Sequence, residues 1–296
     1  MSPRVQPSKT LVYIASLFAI LLWGMSYIWT DRLIGQGIPI FYFVFVRIFM
    51  AGIILFLFNT AYARIKRIQK QDLGKFLLLA FFEPFIYFIC ETFGLKLTGS
   101  PTISAMVIAT IPIFSIGAGI AFFKEKIKLG TWLCIAMATA GIGLLYKAPD
   151  GVTLSMAGVL LVLGSALAYT LYIIAINKTV LKETPSVKVT FYVILVGFLV
   201  FASTALFRGE LHTPTKWYLW GDLLAFALLP TVISMLCATK AIVYVGSTAT
   251  AILGALEPLT AVFFGVTLFG ESLTARSVAG LLLIVISVTA VVTKKQ

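Results

Sequence analysis

Charge is what this sequence has least of. Only 11% of its 296 residues are Asp, Glu, Lys or Arg, against about 25% in an ordinary globular protein. Histidine is rarer still: His212 stands alone, in a polar connection beside Glu210, so imidazole acid–base chemistry inside a membrane is excluded. The three cysteines, Cys90, Cys134 and Cys237, fall within apolar stretches and imply no disulfide framework. There is no glycine loop with a lysine to cradle phosphate, no His/Cys cluster with metal spacing and no nucleophile elbow. No enzymatic constellation, metal site or cofactor is therefore expected.

What is present is apolar surface. Sixty per cent of the residues are hydrophobic, more than the interior of a water-soluble fold of this size can hide, so much of it must face lipid. The net charge of +12 does not point to nucleic acid, because the basic residues are scattered in short runs rather than gathered into a stripe. Apolar runs long enough to cross about 30 Å of hydrocarbon recur ten times, over 11–30, 39–60, 73–95, 100–123, 129–147, 154–177, 187–207, 217–240, 246–269 and 274–293. The first has the length of a span and no small-residue cleavage site after it, so it reads as a retained helix rather than a signal peptide. With the N-terminus in the cytoplasm, sixteen of the 23 Lys and Arg fall on the inner side and six on the outer, Arg47 being the remainder. That asymmetry predicts both termini inside.

A shift of 146 residues superposes Pro39 on Pro185, Pro84 on Pro230 and Pro112 on Pro258, along with Thr102 on Thr248, Ala105 on Ala251, Ala109 on Ala255, Gly119 on Gly265 and Glu125 on Glu271. With 11 prolines in the chain, three coincidences at one ungapped offset point to a duplicated five-helix unit (11–147 and 154–293). Five is odd, so the second copy enters the membrane from the other side. This is an inverted repeat, with the binding site expected near the midplane between the halves. The expected fold class is all-α integral membrane.

Charges at bilayer depth are functional candidates. Arg47 and Glu257 lie near the middle of their spans, and Glu83, Tyr87 and Glu91 at i, i+4, i+8 share one helical face. A stripe with two carboxylates is expected to face a central cavity. Simpler readings stand beside this one. An ion pair with Glu83 accounts for Arg47, a capping role at Pro258 accounts for Glu257, and an outer rim in contact with water accounts for Glu91. Interfacial packing accounts for Tyr27, Tyr169 and Tyr172. Lys240 reads as a snorkelling residue at a helix end. The expected cavity set is Trp23, Tyr27, Arg47, Glu83, Tyr87, Glu91, Tyr169, Tyr172, Ser234 and Glu257. Three glutamates against one arginine favour protons, ammonium groups or zwitterions over phosphates, and the aromatic residues suit an ammonium through cation–π contact. Pro84, Pro112, Pro230 and Pro258 each remove a helical hydrogen bond and free the carbonyls of Ala80, Ile108, Phe226 and Gly254. They are expected to act as hinges, a static bend being the alternative. Ala105/Ala109, Ala251/Ala255 and the pair Gly141, Gly143 with Gly280 are small-residue contacts for close helix packing.

The motifs Leu22-Trp23-Gly24, Arg47, Ala109-Thr110-Ile111-Pro112 through Glu125, and Glu257-Pro258 through Gly270-Glu271 make the chain resemble the EamA-type branch of the drug/metabolite transporter superfamily. The resemblance covers about residues 11–293. It implies a carrier in a bacterial inner membrane that exports or exchanges small metabolites, with the substrate between the halves and with protons or a counter-substrate as further partners. One departure is that Ile111-Pro112 stands in the first half where the second has Glu257-Pro258. Amino acids are the leading substrate class. An anion antiporter of the nucleotide-sugar kind, or a lipid enzyme or structural subunit, are the alternatives.

Overall fold

The computed structural model describes residues 9–59, 69–123, 129–146, 155–178, 186–211, 216–244, 256–270 and 273–293. Helix accounts for nearly all of them, as hydrocarbon requires, since each backbone N–H and C=O must find a partner within its own segment. The helices are α1 (Lys9–Gly35), α2 (Ile40–Phe58), α3 (Leu73–Ala80), α4 (Tyr87–Thr98), α5 (Pro101–Ile108), α6 (Ile111–Phe123), α7 (Leu129–Tyr146), α8 (Met156–Lys178), α9 (Ser186–Phe207), α10 (Trp217–Phe226), α11 (Ser234–Tyr244), α12 (Glu257–Phe269) and α13 (Ala275–Thr293). Six helical stretches are long and apolar enough to cross a membrane: Thr10–Gly35, Ile40–Phe58, Lys70–Thr98, Met156–Ile176, Val187–Phe207 and Trp217–Ala241. Four shorter apolar helices, Pro101–Ser115, Trp132–Gly141, Glu257–Leu268 and Ala275–Ser287, fall within four further expected spans.

The helices turn their apolar side outward. On α1, Leu11, Ile14, Phe18 and Leu21 are 46–58% exposed, while Ser16, Ser26 and Thr30 are buried. This reverses a soluble amphipathic helix and is what a lipid solvent selects. The buried hydroxyls cost little because they bond back to their own helix: Ser16 donates to the Val12 carbonyl at 2.7 Å and Ser26 to that of Trp23 at 2.7 Å.

Three of the expected spans are interrupted. Residues 73–95 do not form one helix, because a wide π-type turn at Phe81–Ile86 separates α3 from α4. A second such turn, Ala227–Ile233, joins α10 to α11. Pro84 and Pro230 lie inside these turns. Likewise 100–123 breaks at Ala109–Thr110, so that Pro112 sits in the first turn of α6, and Pro258 sits in the first turn of α12. The four prolines are thus of two kinds. A proline in the first turn removes no hydrogen bond within its own helix, since that N–H has no helical acceptor, and Pro112 and Pro258 stand at such helix starts.

The starts of α2, the first π turn, α6 and α7 recur, at the offset that superposes the prolines, as the starts of α9, the second π turn, α12 and α13. Packing follows the same exchange. Helix α4 lies on α8 as α11 lies on α1, α8 touches α5 and α6 as α1 touches α12, and α2–α9 and α7–α13 pair across the halves. The closest approach is at Gly24, where a Cβ would come within 1.7 Å of Thr260 Oγ1 and 2.9 Å of the Ala261 backbone nitrogen. Only glycine lets α1 lie this near to α12. Gly141 meets the Gly280 carbonyl in the same way, at 2.8 Å from a built Cβ, as its pairing with Gly280 predicts. Pro185, Glu125, Glu271, Thr248, Ala251, Gly254, Ala255 and His212 lie outside the described residues.

Candidate functional site

The site is assembled by the two π turns and the helices they join. A proline disfavours α geometry in the residue before it, and Glu83 accordingly takes an extended backbone (φ −139°, ψ 120°) within the first turn. Its side chain is 3% exposed, and its Oε2 has no hydrogen-bond partner among the described residues. At the second turn the carbonyl freed by Pro230 is that of Phe226. The Thr231 hydroxyl donates to it at 3.2 Å, and the same oxygen accepts from Arg47 Nε at 2.7 Å. One threonine therefore both satisfies the kink and anchors the arginine of α2. The carbonyl of Pro230 itself accepts from Trp23 Nε1 at 3.0 Å, tying α1 to the same turn.

Arg47 is 5% exposed and enclosed. Its guanidinium carbon lies 3.9 Å from the ring centroid of Phe88 and 4.8 Å from that of Phe226, both within cation–π range. Its acidic partner is Glu91, 3.9 Å from Nη1. The expected pairing with Glu83 is not formed, because the extended residue at position 83 takes that side chain off the helical face it would otherwise share with Glu91. For the same reason the stripe Glu83, Tyr87, Glu91 is not one continuous helical face. Only its second half is helical, and there the Tyr87 hydroxyl donates to Glu91 Oε1 at 3.0 Å. At an effective dielectric near 20, a pair at this separation is worth roughly 4 kcal/mol of attraction, much of which desolvation offsets. The consequence is that neither partner can be removed cheaply.

Trp23, Arg47, Glu83, Tyr87, Glu91, Tyr169 and Glu257 line one cavity, joined by Ser26, Phe88, Ile111 and Met235. It has about 410 Å³ of empty space with its mouth included, but only about 20 Å³ of it is wide enough to take a water. That is roughly one water molecule's worth. An adjoining chamber of about 180 Å³ is lined by Glu83, Trp23, Tyr169, Tyr172, Met235, Ala238 and Thr239. The Tyr169 ring meets Trp23 edge-on at 6.1 Å, lies 5.7 Å from Tyr87 and stacks on Tyr172 at 6.0 Å.

Two expected residues line neither chamber. Tyr27 is 1% exposed and belongs to the buried cluster that includes Ile108 and Ala261; its hydroxyl faces the cavity residues Tyr87, Glu91 and Glu257. Ser234 is a strut, donating to the Leu229 carbonyl at 3.2 Å and to the Ala19 carbonyl of α1 at 3.4 Å. Glu257 is the first residue of α12 and 6% exposed. Thr231, Phe88, Ser26 and Met235 carry no signal of charge, and nothing in the sequence singles them out. The one clue is Thr231's place directly after a kinking proline, within reach of the freed carbonyl. Among the described residues no three His, Cys, Asp or Glu side chains converge as a metal would require.

A model of the EamA-like transporter family matches residues 10–147 and again 156–293. In Bacillus subtilis (strain 168), the uncharacterized transporter YwfM is 27% identical over 65% of this chain and 64% of its own length. The uncharacterized transporter YetK is 23% identical over 96% of this chain and 87% of its own. A solved crystal structure superposes with a TM-score of 0.68 at 17% identity, covering 96% of this chain and 97% of that one; at that identity the likeness is one of fold.

Proposed function

The chain belongs to the EamA-like transporter family, and from that premise we propose that it is a ten-helix alternating-access carrier built from two inverted halves, 11–147 and 154–293. It exports small zwitterionic or amphipathic metabolites, amino acids first among them, across a bacterial inner membrane, with both termini in the cytoplasm. The recurrence of element starts at one constant offset and the exchange symmetry of the packing support the two halves. One observation carries the substrate class: a buried, aromatic-walled cavity between the halves holds three carboxylates and, among the described residues, a single cation. A phosphate or sulfate would meet repulsion there, while an ammonium group would be drawn in.

Export is coupled to protons or to a counter-substrate, with Glu83 or Glu257 as the group that exchanges charge. Proteoliposomes loaded with amino acids, nucleosides and polyamines test the reading by efflux under two pH gradients. Selective loss of amino acids supports it. Release only in exchange for an external organic anion replaces it with an antiporter for which Arg47 is the first residue to mutate. If Glu83→Gln and Glu257→Gln both leave pH-dependent efflux unchanged, proton coupling through these carboxylates is lost.

A further inference from the structure

Two buried groups of opposite sign look alike in the sequence and differ in the structure. Arg47 is committed: Thr231 holds its Nε, Glu91 faces its Nη1 and two phenylalanine rings enclose the guanidinium. Glu83 is uncommitted, 3% exposed with Oε2 unpartnered, and it lies on the wall shared by both chambers. Three side chains accompany it in both: Trp23, Tyr169 and Met235. A buried carboxylate oxygen needs a donor, and no lysine or arginine lines the second chamber to supply one. A primary ammonium brings three N–H donors, and its charge suits the aromatic faces around it.

We infer that Glu83 is the ammonium ligand of the transported molecule, with Trp23, Tyr169 and Tyr172 receiving its apolar body, and that the site does not read a carboxylate. This rests on the carrier reading above and narrows it. An amino acid is recognised through its amine end, so the corresponding amine without a carboxylate is an equal ligand. Arg47, the natural partner for a substrate carboxylate, is already neutralised by Glu91. A free carboxylate entering the cavity would meet Glu83 and Glu257 before any unengaged cation.

Calorimetric titration of the detergent-purified full chain at one fixed pH tests this with three probes on one scaffold: 2-phenylethylamine, phenylalanine and 3-phenylpropanoate. The amine is expected to bind within about tenfold of phenylalanine, tenfold being about 1.4 kcal/mol, and the acid alone not at all. Glu83→Gln is expected to weaken the amine and the amino acid together by about tenfold or more, on the same scale. Phenylalanine binding far tighter than the amine would overturn the inference, because the carboxylate would then be read. So would binding of 3-phenylpropanoate, binding of no probe, or an amine affinity indifferent to Glu83→Gln. The wild-type ranking decides the matter even where the variant does not fold. Amine binding without any efflux from proteoliposomes would sink the carrier reading and leave the subsite standing. Amino-acid efflux indifferent to Glu83→Gln would do the reverse.

Discussion

The turns at Pro84 and Pro230 occupy matching places in the two halves and share one backbone device, yet they serve different ends. At Pro230 the next residue is Thr231, whose hydroxyl closes the freed Phe226 carbonyl and holds Arg47. At Pro84 the next residue is Phe85, whose side chain has no donor, and the preceding residue is an extended glutamate whose Oε2 has no hydrogen-bond partner among the described residues. The second turn is polar and satisfied, so it acts as a girder. The first leaves a buried carboxyl oxygen, Glu83 Oε2, without a partner among the described residues. Duplication supplied the geometry twice, and substitution at the residues beside each proline divided structure from chemistry.

The comparison breaks or sharpens by mutation. The largest effect is expected at Arg47, where Arg47→Ala strands Glu91, which is only 13% exposed, and should lower stability by about 3–5 kcal/mol. Thermal unfolding in detergent measures this. The double variant with Glu91→Ala should recover part of the loss, whereas the double with Glu83→Ala should not. Recovery with Glu83 instead would reverse the assigned partner. Next comes Thr231→Val, which leaves Arg47 Nε unsatisfied and removes the hydroxyl bond to the Phe226 carbonyl, and should cost about 1–2 kcal/mol. No loss in denaturant or thermal unfolding would mean that the second turn is not held by that hydroxyl. Tyr87→Phe deletes the bond to Glu91 and should cost about 0.5–1.5 kcal/mol, read by the same unfolding assay. The smallest effect on stability is expected at the first turn. Glu83→Gln removes no intramolecular partner and should stay within about 1 kcal/mol of wild type or gain, while binding of an amine ligand falls. A loss comparable to that of Thr231→Val would make Glu83 a structural residue and erase the distinction between the turns.

The local features of this molecule are legible in the residues. Runs of apolar side chains announce helices in lipid, and Ser16, Ser26 and Thr30 fall on the inward face of α1 by simple helical period. Pro84 and Pro230 mark the two wide turns, and Gly141 its contact with Gly280. The same period misleads at Glu83, because spacing arguments assume an unbroken helix and the residue before Pro84 leaves it. Thr231 and Phe88 escape a reading of the sequence because nothing in their type distinguishes them from packing residues until a partner on another helix is fixed.

The sequence by itself determined that the chain is helical and lipid-facing, that its halves repeat at one fixed offset, and that Arg47, Glu83, Glu91 and Glu257 fall within its apolar stretches. These follow from composition, from local sterics at proline and from the solvation of charge, all of which act over a few residues. Only the tertiary structure decided that Arg47 belongs to Glu91 and Thr231 and that Glu83 stands free between two chambers. Only it could, because a side chain's partner across helices depends on how each helix is rotated and where it is broken. Those rotations are set by contacts such as Gly24 against Thr260, from opposite ends of the chain, which no local pattern records.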